Sequence, residues 1–246
     1  MASATQSIGI SLVETIRSDI LTARLKPGEK LSLKLLSGLY ACGASPVREA
    51  LTRLASEGLV ERIDRRGFFV AGISAHDFAD ILFNRGFMES EALRQSIALG
   101  DAEWEERVLI AHFRLSNLKR DTQGKDGLRQ PNPDWEAAHK RFHMALLSAC
   151  PSRILLETCE RLHDLNNRYR FFARTVQGSA RSVEAEHKKL CDLALERSPQ
   201  GAAQALIDHY RQTGDAVLAA TIVPAGLGLD MSHIFQNTKG MSHEIA

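Results

Sequence analysis

The sequence of 246 residues contains no long hydrophobic run, and its best candidate is the short stretch from Ala216 to Val223. A helix that crosses a membrane needs roughly 18 apolar residues in succession, so the sequence predicts that this is not an integral membrane protein. The first ten residues show no basic segment followed by an apolar core, so we expect no secretory signal and a reducing, cytoplasmic compartment. Cysteine is scarce, with four residues, which we expect to be free thiols.

The sequence also lacks a strong net charge, with 31 Lys and Arg against 30 Asp and Glu. The balance is uneven, because residues 1–73 have ten basic and seven acidic side chains, while the remainder has 21 and 23. An apolar share of 44% beside 25% charged residues is typical of a globular protein and excludes extensive disorder or a coiled-coil rod. A basic N-terminal part on an acidic remainder suits a protein that binds an anion there.

The first 73 residues have the element order of a winged helix-turn-helix. Apolar residues at helical spacing run from Ile8 to Leu21 and predict a first helix. A short second helix and a tight corner follow. Ser45 is then a suitable N-cap and Pro46 a suitable first residue for a third helix, which Gly58 closes. Two short strands are expected around the basic turn from Asp64 to Gly67.

In such a domain the second helix of the pair enters the major groove and the hairpin flanks it. Taken singly, each arginine here favours the alternative of a small helical packing domain with solvated arginines, but their joint placement on the recognition helix and at the wing tip favours DNA binding. The predicted DNA-binding residues are Lys34, Ser45, Arg48, Arg53, Arg65, Arg66 and Gly67.

Four segments carry a more specific resemblance: Leu25–Gly28, Ser45–Leu51, Glu57–Val60 and Arg66–Val70. They resemble the N-terminal domain of GntR-superfamily transcription regulators, which implies a DNA-binding regulator. Ala44 stands where that family often has an arginine, so the resemblance implies a different operator sequence. DNA binding itself is unaffected, since phosphate contacts supply most of the affinity.

From residue 74 the sequence becomes almost wholly helical and predicts a bundle of six to seven helices. The fold class is therefore mainly α, with a winged helix-turn-helix over residues 1–73 and a second, helical domain over 74–223. The Gly-rich and polar tail, residues 224–246, is expected to be poorly ordered. The expected helices are 77–99, 103–119, 135–149, 153–174, 180–197 and 200–223.

Four histidines of the helical part form a candidate metal site. His139 and His143 are four residues apart and share one helical face, while His187 and His209 lie on two later helices. Two ligands from one helix and one from each of two others can hold a metal in a bundle core. The alternative is chance spacing, because single histidines on helices are usually half-exposed or hydrogen-bonded in the core.

This part resembles the FCD ligand-binding domain of FadR-type regulators, in which Phe-His, Glu-His and a final His recur on successive helices. Phe142-His143, Glu186-His187 and His209 fit that pattern, and His139 occupies a position that usually holds a carboxylate. The resemblance implies a bound divalent metal. Four imidazoles favour Zn²⁺ or Ni²⁺ over Mn²⁺ or Mg²⁺.

The resemblance also implies a small carboxylic acid effector, anchored by the metal and by a cationic side chain. Arg85 is the first candidate, because the family often has an arginine here, one turn before a glutamate. The alternative is a solvated Arg85–Glu89 pair. Arg168 and Tyr169 are further candidates, for which exposed surface or dimer contacts are equally compatible.

We expect no enzymatic activity, since Lys140 replaces the glutamate of a zinc hydrolase motif and no nucleophile elbow or phosphate-binding loop is present. Cys159, His163 and Asp164 are most simply interpreted as one surface face. The sequence thus predicts a ligand-responsive repressor that binds a double-stranded operator as a homodimer. Two other hypotheses remain open, a metalloenzyme fused to a winged helix and an effector-free interaction protein.

Overall fold

The computed structural model describes residues 2–123, 129–176 and 183–222. These residues divide into two units: the described residues of 2–74 and 167–172 form unit 1, and those of 75–166 and 173–222 form unit 2. The expected C-terminal tail lies outside the described residues. Within the described residues, no helix is long and apolar enough to cross a membrane.

Unit 1 contains a three-helix arrangement and a small antiparallel sheet, so the predicted winged helix-turn-helix is confirmed. The strand order is β1-β3-β2, with Val60 opposite Val70 and Lys30 opposite Phe69. Strand β1 was not predicted, because two residues are too few to show a periodic pattern. The elements are α1 (Ala2–Leu21), β1 (Lys30–Leu31), α2 (Leu33–Leu39), α3 (Ala44–Ser56), β2 (Val60–Ile63) and β3 (Gly67–Val70).

The start of α3 differs from the prediction. The helix begins at Ala44, its N-cap is Gly43, and no side chain caps it. Ser45 is therefore not the N-cap. Pro46 still lies in the first turn, where its missing N–H has no helical partner to lose. The helix is fixed instead by its buried apolar stripe, which includes Val47, Leu51 and Leu54.

Unit 2 is built from helices, which confirms the predicted mainly α fold with a helical bundle after the winged helix. Six helices are described there, with α7 contributing residues to both units. The predicted loop between α5 and α6 contains a short antiparallel hairpin with Asp121 opposite Pro131. The elements are α4 (Ala75–Leu99), α5 (Ala102–Ser116), β4 (Asp121–Gln123), β5 (Arg129–Pro131), α6 (Pro133–Leu147), α7 (Arg153–Val176), α8 (Val183–Leu195) and α9 (Pro199–Ile222).

The packing of these helices positions the functional residues. Helix α4 lies along α9, α5 packs on α6 and α8, and α8 packs on α9. Asp101 caps α5 by accepting a 2.8 Å hydrogen bond from the Trp104 backbone N–H, and the Trp104 indole donates to the Ala145 carbonyl at 3.1 Å. The buried indole thus fixes α5 on α6 through both apolar area and a directed hydrogen bond.

Candidate metal centre and DNA-binding surface

The four predicted histidines meet in the interior of unit 2. His139 and His143 lie one turn apart on α6, His187 lies on α8 and His209 on α9. All four are buried, and each offers a ring nitrogen within 4.8 Å of the others. Three helices therefore converge their imidazoles on one point.

Aromatic contacts hold these rings in place. The His139 ring stacks on Trp135 with ring centroids 4.8 Å apart, and Phe142 packs edge-on against His187 at 5.4 Å. Trp135, Phe142 and the histidines of α6 occupy the same buried face of that helix. The face that carries the imidazoles is therefore also the face that excludes water.

The donor geometry fits a divalent ion. The Nε2 atoms of His139 and His143 are 3.1 Å apart, close to the separation of about 3–3.4 Å expected for two imidazoles bound to one ion at about 2.0–2.1 Å. His209 donates from Nδ1 to Glu186 Oε2 at 2.7 Å. A carboxylate on one ring nitrogen is the usual support of a metal-binding histidine, because it orients the ring and leaves Nε2 as the donor atom.

The electrostatics of the site favour the neutral form of the His143 ring. Burial lowers the pKa of His143 well below its ordinary value, and the nearby His209, His187 and Arg85 lower it further. An imidazole must be neutral to bind a metal. The environment of His143 thus favours the form that a metal ligand needs.

A buried ion pair lies beside the histidines. Arg85 and Glu89 on α4 are both almost fully buried, with Nε to Oε1 at 2.6 Å and Nη2 to Oε2 at 3.2 Å. Arg85 Nη2 also donates to the Tyr210 hydroxyl at 3.0 Å, and its guanidinium carbon lies 4.1 Å from the centre of the Tyr210 ring. The alternative of a solvated pair on a helix face is therefore wrong.

Tyr210 connects this pair to the cluster. Its hydroxyl donates to Glu89, and its oxygen, which accepts from Arg85, also lies 3.4 Å from His143 Nδ1 and can accept from that atom when it carries the proton. Burial and Glu89 raise the pKa of Tyr210 well above its ordinary value against the opposing effect of Arg85, so the hydroxyl keeps its proton. A proton on His143 Nδ1 directs the Nε2 lone pair towards His139.

Three further residues of α7 are interior rather than surface residues, so the interpretation of Cys159, His163 and Asp164 as one surface face was wrong. The His163 ring centroid is 5.6 Å from that of His139, and Asp164 accepts from Lys140 Nζ at 2.8 Å. Burial, assisted by Glu89, raises the pKa of Cys159 to about 12. This thiol is therefore protonated and is not a nucleophile.

Arg168 and Tyr169 contact backbone groups of unit 1. Within unit 1, the Arg168 guanidinium donates to the carbonyls of Gly58, Ala71 and Gly72 at 3.3, 2.9 and 2.5 Å. The Tyr169 hydroxyl accepts from the Ser74 backbone N–H at 3.4 Å. These polar groups thus bind the backbone of residues 58–74, and a role of the two residues in effector binding stays a prediction.

The predicted DNA-binding residues all lie on the outside of unit 1. Ser45, Arg48 and Arg53 share the exposed face of α3, and Lys34 is exposed on α2. Arg65, Arg66 and Gly67 are exposed at the tip of the β2–β3 hairpin, where positive φ angles of 59° at Arg65 and 98° at Gly67 form the turn. Arg53 lies 3.7 Å from Glu57, so its charge is partly neutralised, unlike that of Arg48.

Two family models match the chain. Residues 11–70 match bacterial regulatory proteins of the gntR family, and residues 80–212 match the FCD domain. The first match lies within unit 1. The second contains all four clustered histidines and the Arg85–Glu89 pair.

Two relatives are similar over most of their length. The chain is 38% identical over 207 residues to the uncharacterized HTH-type transcriptional regulator BphR of Paraburkholderia xenovorans, covering 82% of this chain and 84% of that protein. It is 35% identical over 199 residues to the HTH-type transcriptional repressor GlaR of Escherichia coli, with coverage of 79% and 88%.

Solved structures share the fold. Escherichia coli McbR/YncC aligns with a TM-score of 0.72 at 17% identity, over 86% of this chain and 97% of that one. A putative transcriptional regulator GntR from Rhodococcus sp. RHA1 aligns with a TM-score of 0.69 at 19% identity, over 87% and 99%. At these identities the likeness shows the fold alone.

The buried ion pair gives a testable expectation about stability. Arg85→Met should lower the free energy of unfolding by about 3–5 kcal/mol, because Glu89 is left buried without its counter-charge. The double variant Arg85→Met, Glu89→Gln removes both charges, keeps an acceptor for Tyr210 and should recover most of that loss. Urea unfolding of the parent and both variants measures the difference, and equal destabilisation in the two variants would contradict the pairing.

Proposed function

Since this chain belongs to the gntR family of bacterial regulatory proteins and carries an FCD domain, it is a DNA-binding transcription regulator and not an enzyme. We propose that it is a repressor that binds its operator as a homodimer and senses a small carboxylic acid at a metal in unit 2. One observation carries the sensing part of this proposal, the buried four-histidine cluster beside a buried arginine.

The exposed surface of unit 1 supports operator binding. Arg48 on the recognition helix is available for base contacts, and the arginines of the hairpin tip suit phosphates or a neighbouring groove. A single recognition helix covers few base pairs, whereas two copies on paired half-sites fix register and raise specificity. The printed name of the relative GlaR, a transcriptional repressor, supports repression as the sign of regulation.

The chemistry of unit 2 supports a metal. His139, His143, His187 and His209 would hold a divalent ion, with Zn²⁺ or Ni²⁺ preferred by an all-imidazole donor set. When bound, such an ion supplies a Lewis-acid position for a carboxylate oxygen. Glu186 would orient His209, and Tyr210 would orient His143.

Arg85 supports recognition of the acid. Glu89 and Tyr210 occupy its Nε and Nη2 atoms, while Nη1 has no hydrogen-bond partner among the described residues. Burial lowers the pKa of Arg85, but Glu89 and Tyr210 outweigh it and raise the pKa above its ordinary value, so the side chain stays charged. The remaining N–H groups of Nη1 suit a carboxylate oxygen of the effector.

Catalysis is disfavoured by the residue after His139. Lys140 Nζ lies 2.8 Å from Asp164 and 3.0 Å from Glu160. Burial lowers its pKa, yet the two carboxylates prevail and raise the pKa above its ordinary value. An ammonium group held in this way is not a general base for hydrolysis.

Operator binding can be tested at single arginines. Arg48→Ala should weaken binding to a duplex selected from a random library by about 1–3 kcal/mol, and less to an unrelated duplex. Arg65→Ala and Arg66→Ala should weaken both complexes and lower the salt slope by about one unit each. Fluorescence anisotropy at several salt concentrations measures these effects, with Arg153→Ala on α7 as the exposed control. Unchanged affinity in all three variants would refute the assigned surface.

The metal site predicts a specific loss of bound ion. His143→Ala and His187→Ala should each reduce the metal retained through purification and lower the melting temperature, because an ion bound only by the folded state stabilises it. His76→Ala on α4, whose side chain is exposed, should retain the parent's metal content. Elemental analysis measures the metal bound per protein chain, and equal metal content in His143→Ala and the parent would exclude the site.

The effector hypothesis predicts a metal-dependent thermal shift. A panel of small mono- and dicarboxylates should contain acids that raise the melting temperature of the metal-loaded protein, because a buried carboxylate needs a cationic partner. The shift should be much smaller after chelation. The same acids should alter operator affinity if the sites are coupled, by the factor that operator DNA alters theirs. Stabilisation that is equal with and without chelator would rule out the anchoring role of the metal.

A further inference from the structure

Helix α5 presents an exposed stripe on the side opposite its buried residues. Trp104, Val108 and Leu115 face the interior of unit 2. The stripe follows the outward face at spacings of three and four residues, and it includes two large apolar side chains, Ile110 at 50% exposure and Phe113 at 68%. Its members, all exposed, are Glu103, Glu106, Arg107, Ile110, Phe113, Arg114 and Asn117.

A groove of about 370 Å³ lies next to this stripe, between α5 and α6. Small side chains, Ala111, Ala138 and Ala145, give it an apolar lining. Arginine side chains line it as well, namely Arg107, Arg114 and Arg141. The groove is thus apolar inside and positively charged around its edge.

Several charged side chains of the stripe and groove have no ion-pair partner among the described residues. Arg107 reaches Glu103 only at 3.9 Å. In the part of the chain that the structure describes, neither Arg114 nor Arg141 has an ion-pair partner, and Glu106 has none either. Apolar side chains flanked by unpaired charges of both signs are typical of a surface that contacts a partner.

We propose that this surface joins two copies of the chain, with the two α5 helices antiparallel across a two-fold axis at Ile110. This inference rests on the homodimer in the proposed function and identifies where that dimer forms. A two-fold axis there places Ile110 against Ile110 of the second copy and Glu106 opposite Arg114. It also places Phe113 opposite Arg107, at the groove of the second copy.

Charge complementarity selects a second copy as the occupant. The acidic residues of α5 lie in its N-terminal half and Arg114 lies near its C-terminal end, so only the antiparallel arrangement pairs opposite charges at both ends. Each Glu106 then lies near Arg114 and Arg141 at the edge of the other copy's groove. Each Phe113 fills the apolar interior of that groove. Every contact away from the axis occurs twice, as an isologous interface requires.

The extent of the surface is adequate for a dimer contact. Helix α5 has 15 residues and is about 22 Å long, and the groove widens the contact onto α6 through Arg141 and Ala145. A stable dimer buries about 800 Å² per partner around an apolar centre with a polar rim. Ile110 and Phe113 would form that centre, and the charged pairs would form the rim.

A charge exchange in the full-length protein tests the arrangement. Glu106→Arg and Arg114→Glu should each weaken the dimer roughly tenfold, since each places like charges together at two symmetric contacts. The double variant Glu106→Arg, Arg114→Glu restores opposite charges and should return to within about threefold of the parent. Sedimentation equilibrium over a range of concentrations measures the dissociation constants, and thermal melting confirms that each variant is folded.

An apolar substitution provides the second arm. Ile110→Asp buries a charge at the axis and should shift the protein to monomer, whereas Ile154→Asp, at an isoleucine 72% exposed on α7, should leave the dimer intact. Failure of the double variant to recover, or a dimer that tolerates Ile110→Asp, would overturn the interface. In that event a parent that is dimeric and binds operator DNA through Arg48 would still satisfy the proposed function. A monomeric parent would overturn both the interface and the proposed homodimer.

Discussion

The interior of unit 2 depends on one buried ion pair, Arg85 with Glu89. Two charges that are almost fully removed from water require each other, because leaving either one buried without its partner costs about 3–5 kcal/mol. Their pairing keeps the centre of α4 electrically neutral. It also leaves Tyr210 of α9 as a hydrogen-bond bridge, so the charge pair fixes the side-chain contacts between the two helices that carry much of the site.

The four histidines add a second constraint to the same core. The Nε2 atoms of His139 and His143 face each other at 3.1 Å, and at most one of them can carry the proton between them. A metal, in contrast, would bind the lone pairs of both nitrogens. The polar interior would then stabilise the fold only when loaded, which couples metal content to stability.

The sequence predicts turns, helix boundaries and the spacing of residues along one helix. It does not predict which polar side chains of a helix are buried. Gly and Pro punctuation predicts the winged helix, and the spacing of His139 and His143 predicts their shared face. Arg85 with Glu89 resembles an ordinary surface pair, and Cys159 with His163 and Asp164 resembles a polar face, because periodicity places polar residues outside. Burial of such residues follows from tertiary partners such as Tyr210 and Lys140 that no local pattern identifies.

The charges of the proposed site also explain why its effector should be an anion. The charges of Arg85 and Glu89 cancel, and four imidazole ligands would contribute no negative charge, whereas a carboxylate at the position of His139 would have contributed one. A divalent ion there would therefore leave a buried excess of positive charge that Glu186, hydrogen-bonded to His209, offsets only in part. A buried excess of this kind is unfavourable until a counter-ion enters. A carboxylate placed between the ion and Arg85 Nη1 supplies that charge, so an all-histidine site should depend more on its acid than a site with a carboxylate ligand.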